Sequence, residues 1–160
     1  MNTNEALITR FYTAFQKKDY TTMQQCYADK ATFSDPVFTD LDAMQVKAMW
    51  EMLCKRSSAD FRLEFKNIHS AGNLVSLRWT AWYTFTATGR KVVNHVKGGF
   101  VIEDGKILKH IDQFSFYRWA RQAFGITAAL FGWTIMFKEK VRLTALSNLE
   151  KFMEKMKVVE

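Results

Sequence analysis

Proline is almost absent from this chain: Pro36 is the only one in 160 residues, and there are only two cysteines. No repeat and no low-complexity linker divides the sequence, which therefore suits one domain with one sizeable core. Cys26 and Cys54 fall in helical patterns, lack metal-site spacing and have no histidine near them. They read as buried, reduced thiols of a cytoplasmic protein rather than a disulfide framework. Long hydrophobic runs are missing too. The most apolar stretch, Ala123 to Phe137, is punctuated by Gly125 and Gly132 and falls short of the about 20 residues that span a bilayer. Burial against the domain or a partner subunit is expected there; a monotopic membrane contact, with Arg118, Arg121, Lys138, Lys140 and Arg142 flanking the apolar patch, is the lesser alternative. Met1 to Glu5 is polar, with no apolar signal region. No block of like charge is long enough for a nucleic-acid-binding tail, so the net charge of +7 reads as a lysine-rich exterior and nucleic acid is not expected.

What the chain does have is apolar and aromatic bulk, 48% and 15% of its residues. That exceeds what a minimal core needs and predicts a ligand pocket or a subunit interface. Leu7, Phe11, Ala14 and Phe15 lie on one face of a first helix capped by Thr3 or Asn4; Asp19 caps a short second helix. Ala31 to Ser34 reads as a short strand. A third helix, capped by Thr39 or Asp40, carries the stripe Leu41, Met44, Ala48, Met49, Met52 and Leu53.

Four strands follow, approximately Asp60 to Ala71, Leu74 to Thr88, Lys91 to Glu103 and Lys106 to Phe116, joined by turns at Gly72-Asn73, Gly89-Arg90 and Asp104-Gly105. If each turn holds two residues, Phe61, Leu63, Phe65, Thr80, Trp82, Thr84, His95, Lys97, His110, Asp112 and Phe114 share one face, and Lys97 stands opposite Asp112. Leu77, Trp79, Ala81, Tyr83, Val96 and Ile111 then form an apolar second face, which predicts a homodimer through the sheet. A bulge at Gly98-Gly99 would slip part of this register. Helices followed by a meander make an α+β fold with the helices on one face of the sheet. Beyond Phe116, an amphipathic segment to Phe124, the apolar run and a basic helix from Thr134 to about Lys157 form a C-terminal extension. Its stripe of Leu143, Leu146, Leu149, Phe152 and Met156 calls for a protein partner.

Tyr27-Ala28-Asp29 with Ala31-Thr32 and Asp35-Pro36, together with the closing strands Phe100 to Ile107 and His110 to Asp112, resemble the nuclear transport factor 2-like superfamily. Its members include ketosteroid isomerases, SnoaL-like polyketide cyclases and limonene epoxide hydrolases. The resemblance covers residues 1–117, leaving 118–160 as the extension. It implies a cone of three N-terminal helices on a curved antiparallel sheet, with a ligand cavity and usually a homodimer. It also places Asp35 where the isomerases keep their general base. Phe11 and Lys97 then occupy the positions of the isomerases' tyrosine and protonated acid.

Pro36 pushes Asp35 toward extended backbone and so aims its carboxylate. Two readings stay open: a general base, or an Asx cap bonded to the N–H groups of Val37 or Phe38. His110 and Asp112 are expected to relay or orient, and Lys97 to steady negative charge or to pair structurally with Asp112. Trp82, His95, Phe114, Phe61, Phe65 and Phe11 are the candidate walls for a small hydrophobic ligand. His95 and His110 with a carboxylate would be a legal metal set, but no metal and no cofactor is called for. The expected function is binding of a small hydrophobic molecule, with isomerase- or cyclase-like proton transfer at Asp35. A non-catalytic binding or interaction domain is the alternative.

Overall fold

The computed structural model describes residues 2–159, so Met1 and Glu160, the outer limits of the two expected segments, lie outside it. Helix α1 (Thr3–Gln16) starts one residue earlier than expected, because Asn2 accepts a bond from the Glu5 N–H, and it buries Ile8, Phe11, Tyr12 and Phe15. Asp19 caps α2 (Tyr20–Gln25) through the Thr22 N–H. Strand β1 (Tyr27–Ser34) leads through the Asp35-Pro36 turn to α3 (Ala43–Arg56). The cap of α3 is Asp42, not Thr39 or Asp40, in a reciprocal capping box with Gln45. The helix is delayed because Leu41 is still bridged to Phe33 by two backbone bonds of 3.0 and 2.8 Å.

Strands β2 (Arg62–Ala71), β3 (Leu74–Phe85), β4 (Arg90–Glu103) and β5 (Lys106–Gln113) form the meander. β1 joins its far edge parallel to β5, giving a five-stranded sheet in the order β1-β5-β4-β3-β2. The inner face, under α1 and α3, carries Leu63, Val75, Leu77, Trp79, Ala81, Val96 and Phe100.

Which side chains face inward is decided by two single-residue insertions. Next to the Gly72-Asn73 turn His69 pairs with Ser76, but Lys66 pairs with Arg78, so β2 holds one extra residue. Asn67, in the left-handed region at φ 58°, marks that bulge. In β5, Ile102 pairs with Ile107 but Val101 with Lys109, so Leu108 is the extra residue. Each insertion flips everything beyond it to the other face. Leu63 and Phe65 therefore lie with Ala81 and Trp79 rather than with Thr80 and Trp82. Gly98, not Lys97, stands opposite Asp112; Lys97 faces Gln113 and is exposed on the outer face. The predicted Lys97–Asp112 pair does not form. The Gly89-Arg90 turn is in fact a four-residue loop between Phe85 and Arg90, a shift of even length that leaves the faces of β3 and β4 in phase.

The same flip corrects the dimer argument. Leu77, Trp79, Ala81 and Val96 are the core of the monomer, and the outer face carries Arg62, Glu64, Arg78, His95 and Lys97. The apolar face that called for sheet-to-sheet dimerisation is already covered.

Three further helices follow the sheet: α4 (Phe116–Phe124), α5 (Ile126–Phe131) and α6 (Ile135–Val159). Ser115 caps α4, which lies on β4 and builds a second core from Phe116, Trp119, Ala120 and Ala123 with Val37 and Val92. α6 returns along α3 and buries Leu149 and Phe152 in the main core, while Leu143 stays exposed. Arg142 donates from Nε to the Pro36 carbonyl at 3.0 Å, tying α6 to the turn that carries Asp35.

A Cβ at Gly98 would come within 2.9 Å of Leu77 and 3.3 Å of Asp112 Oδ1. Gly98→Ala should therefore lower stability in chemical denaturation by about 1–3 kcal/mol, an overpacking penalty. Lys97→Met, on the exposed face, should stay within about 0.5 kcal/mol of the parent. Comparable losses from the two substitutions would contradict the register.

Candidate functional site

β5 turns two polar side chains into the core, and they are the only buried ones of their kind among the described residues: His110, fully buried, and Asp112, almost so. His110 Nε2 lies 2.9 Å from Asp112 Oδ1. A carboxylate only accepts, so Nε2 carries the hydrogen; because Tyr27 Oη already accepts from Trp50, its own hydrogen is left for Nδ1, and that assignment makes Nδ1 the acceptor. Tyr27 Oη, 2.7 Å away, donates to it and itself accepts from Trp50 Nε1 at 2.8 Å. Trp50, Tyr27, His110 and Asp112 form one directional chain across α3, β1 and β5. Register explains the meeting: β1 runs parallel beside β5, with Phe33 level with His110 and Tyr27 level with Ile107.

The ring of His110 is enclosed by Phe100 at 4.2 Å between centroids, by Phe33 edge-on at 4.9 Å, and by Phe11 at 5.8 Å. Phe11 is thus central packing against the imidazole, and the interior that was expected to be a cavity is lined closely by rings. Phe65 packs on Tyr12 and Phe61 stacks on Phe15; both are partly buried at the sheet's far side. Phe114 belongs to the neighbourhood of Trp119. Trp82 and His95 are on the outer face: Trp82 takes the Arg62 guanidinium at 4.0 Å and His95 bonds to Thr80 Oγ1 at 3.0 Å. Neither shares a chamber with His110, so the metal set that joined the two histidines is not assembled. No group of three His, Cys, Asp or Glu side chains among the described residues is placed to hold a metal ion.

Asp35 occupies the turn after β1. Its Oδ1 accepts from Val37 N at 2.7 Å and from Phe38 N at 2.6 Å, the Asx cap that was one of its two readings. The residue keeps some exposure, but its carboxyl is deep enough that burial pushes its pKa up to about 7. The Phe38 and Val37 N–H donors oppose that rise; the charge of Asp112 adds to it, and Arg142 pulls weakly the other way. Burial also lifts Tyr12 and Tyr27 well above the ordinary phenol range, with Asp112 contributing to both. Asp112 thus adds, behind burial, to the rise at Asp35, Tyr12 and Tyr27.

Among the described residues, Tyr12 Oη and Trp79 Nε1 are buried with no hydrogen-bond partner. Such groups in a core mark a place for a polar occupant. Tyr12, Tyr27 and Trp50 were missed as site residues because buried aromatics at helical or strand spacing read as packing. The surface grooves lined by Arg56, Asn148, Lys151 and Glu154, and by Ala6, Arg10, Thr13 and Lys17, include none of these groups.

Helices packed on one face of a five-stranded sheet agree with the family comparison: residues 8–110 match the SnoaL-like domain. The chain belongs to the SnoaL-like domain family. The fold of this SnoaL-like protein is shared by solved structures of low identity. An epoxide hydrolase of limonene-hydrolase type from M. tuberculosis is 18% identical with a TM-score of 0.63, over 81% of this chain and 96% of that one. IdmH, a proposed polyketide cyclase from Streptomyces antibioticus, is 21% identical with a TM-score of 0.63, over 74% and 96%. An NTF2-like protein of unknown function from Burkholderia pseudomallei is 16% identical with a TM-score of 0.66, over 78% and 99%. At these identities the likeness concerns the fold. No curated protein matches the sequence. No helix among the described residues is long and apolar enough to cross a membrane.

The raised Asp35 pKa fixes the sign of a pH effect. An aspartate in an unfolded chain titrates near about 3.9, so the folded state holds this proton more tightly. Its contribution to stability is complete below about pH 4 and is lost as pH rises through about 7. Asp35→Asn should remove that share of the decline, so its melting temperature should fall less than the parent's between those limits. Parallel melting curves for the two proteins would show that Asp35 is not the group responsible.

Proposed function

We propose that this SnoaL-like protein is a cofactor-independent acid–base enzyme that moves a proton on a small hydrophobic molecule, with Asp35 as the base. The observation that carries this reading is the geometry and burial of Asp35: its Oδ1 is fixed by the Val37 and Phe38 N–H groups, and burial raises the carboxyl to about 7. A buried carboxyl whose proton affinity is raised toward neutral pH is common equipment for such chemistry. Asp112, held by the Nε2–H of His110, strengthens Asp35 as a base. Oδ2 of Asp35, which takes neither backbone bond, is the atom offered to an acidic C–H beside a carbonyl. As that proton passes to Asp35, the electron pair of the C–H bond moves toward the carbonyl oxygen, and this reading assigns the resulting oxyanion to the one buried hydroxyl left without a partner among the described residues, that of Tyr12. Asp35 then returns the proton to a different carbon. Lys97, on the outer face, has no part in this scheme.

The non-catalytic alternative also has an observation behind it. Both short bonds at Asp35 Oδ1 serve the turn, and a capping aspartate needs no chemistry. Deuterium uptake separates the two. Small cyclic ketones and β-dicarbonyl compounds would be incubated with the protein in D2O and followed by proton NMR. We expect exchange above the buffer rate, reduced by about 10²–10⁴-fold in Asp35→Asn and lowered in Tyr12→Phe, with both variants folded. Retention of these compounds by parent and Asp35→Asn alike, without exchange, would replace the enzyme with a binding protein.

A further inference from the structure

The run Ala123–Phe137, whose side chains were expected to be buried, is not. Ile126, Leu130, Phe131, Trp133, Ile135 and Met136 are between 55% and 84% exposed. All six lie on α5, the turn after it and the first turn of α6, so they form one tip rather than scattered surface positions. The tip is a built structure. Ala128 is fully buried, Tyr117 Oη donates to the Ala129 carbonyl at 3.0 Å, and Trp133 Nε1 donates to the Leu130 carbonyl at 3.0 Å. Gly132 closes α5 where any Cβ would strike the Ala128 carbonyl oxygen at 2.4 Å. The sequence thus spends specific residues on holding large apolar side chains out in water.

The charge around the tip is mostly positive; its nearest acid, Glu139 in α6, is already paired with Arg142 at 3.0 Å. Between Gln113 and Lys138 there is no aspartate or glutamate, and the charged residues are Arg118, Arg121 and Lys138. Arg121 lies over the Tyr117 ring, whose hydroxyl reaches α5, and Lys138 lies over the Phe116 ring. Lys140 stands one helical turn beyond Met136. A second copy of this chain seated symmetrically on the tip would bring these four cations against their own images, with Glu139, already paired with Arg142, the one acid from residue 113 to residue 140 to offset them. An anionic bilayer surface fits instead. Its acyl boundary takes the aliphatic and phenyl groups, its headgroup layer takes an indole such as Trp133, and its phosphates take the Lys/Arg rim.

We infer that the α5–α6 tip docks the protein on anionic membrane surfaces as a monotopic contact, without spanning. The full chain would be floated with phosphatidylcholine vesicles, with and without phosphatidylglycerol. We expect recovery with the anionic vesicles at least about tenfold above that with neutral ones, falling as salt is raised. The double variant Phe131→Ser, Trp133→Ser should lose at least about tenfold of this binding while staying folded, since both side chains are mostly exposed and only the Trp133 bond to the Leu130 carbonyl is given up. Brominated acyl chains should quench the parent's tryptophan fluorescence, and should quench Trp133→Phe far less. Lys140→Glu should weaken binding to the anionic vesicles alone. Failure to float, flotation indifferent to the double variant, or a dimer in light scattering that the double variant dissolves would each overturn the inference.

Discussion

A carboxylate on the concave side of this sheet must be bonded by the protein, and Asp112 is such a carboxylate. Leaving a buried polar group without its partner costs about 1–3 kcal/mol, and more when the group is charged. Asp112 meets that demand through His110 Nε2–H, and His110 in turn needs a donor at Nδ1, which Tyr27 provides and Trp50 supports. Three elements of different origin, α3, β1 and β5, are thereby held to one another by polar geometry rather than by apolar burial alone. Gly98 opposite Asp112 is part of the same requirement, because only a residue without a side chain leaves the carboxylate its place.

The field of Asp112 reaches beyond its own hydrogen bonds. It reinforces the rise that burial imposes on Asp35, Tyr12 and Tyr27, so proton affinities on α1, β1 and the β1–α3 turn are linked to one carboxylate on β5. The C-terminal helices enter this arrangement at a single backbone point, the bond from Arg142 to the Pro36 carbonyl. A second aromatic core under α4 continues the first around Tyr83, whose hydroxyl accepts from Trp119 Nε1. Burial pushes the Tyr83 phenol up to about 12, and Asp35 adds to that rise. The extension thus shares the electrostatic neighbourhood of the cone.

Much of this was legible in the residues. Asp19 capped a helix as its position suggested, and Asp35-Pro36 marked a stiff turn because proline restricts both residues. The α+β class followed from helical periodicity giving way to alternation. What failed was parity. Hairpin counting assumes that strands run without insertion, and a single bulged residue reverses every side chain beyond it. Leu108 carries no sign of its bulge, whereas Gly98-Gly99 looked like one and is regularly paired. Asn67 offered a weak sign, since asparagine tolerates the left-handed region. Lys97 was consequently placed inside and the apolar face outside. Tyr12, Tyr27 and Trp50 escaped notice for a different reason: a ring looks the same in sequence whether or not its polar atom is bonded. The exposed tip at α5 was missed because apolar content was equated with burial.

The central claim is that His110 is enclosed as a neutral imidazole, donating from Nε2 to Asp112 and accepting at Nδ1 from Tyr27. Nitrogen-15 and proton NMR of the histidine rings at neutral pH tests it most directly. The account predicts one imidazole with a protonated Nε2, an unprotonated hydrogen-bonded Nδ1 and a slowly exchanging ring proton, whose signal moves in Tyr27→Phe and shifts strongly in Asp112→Asn. Three rings in fast exchange with solvent, or a His110 protonated at Nδ1, would contradict it.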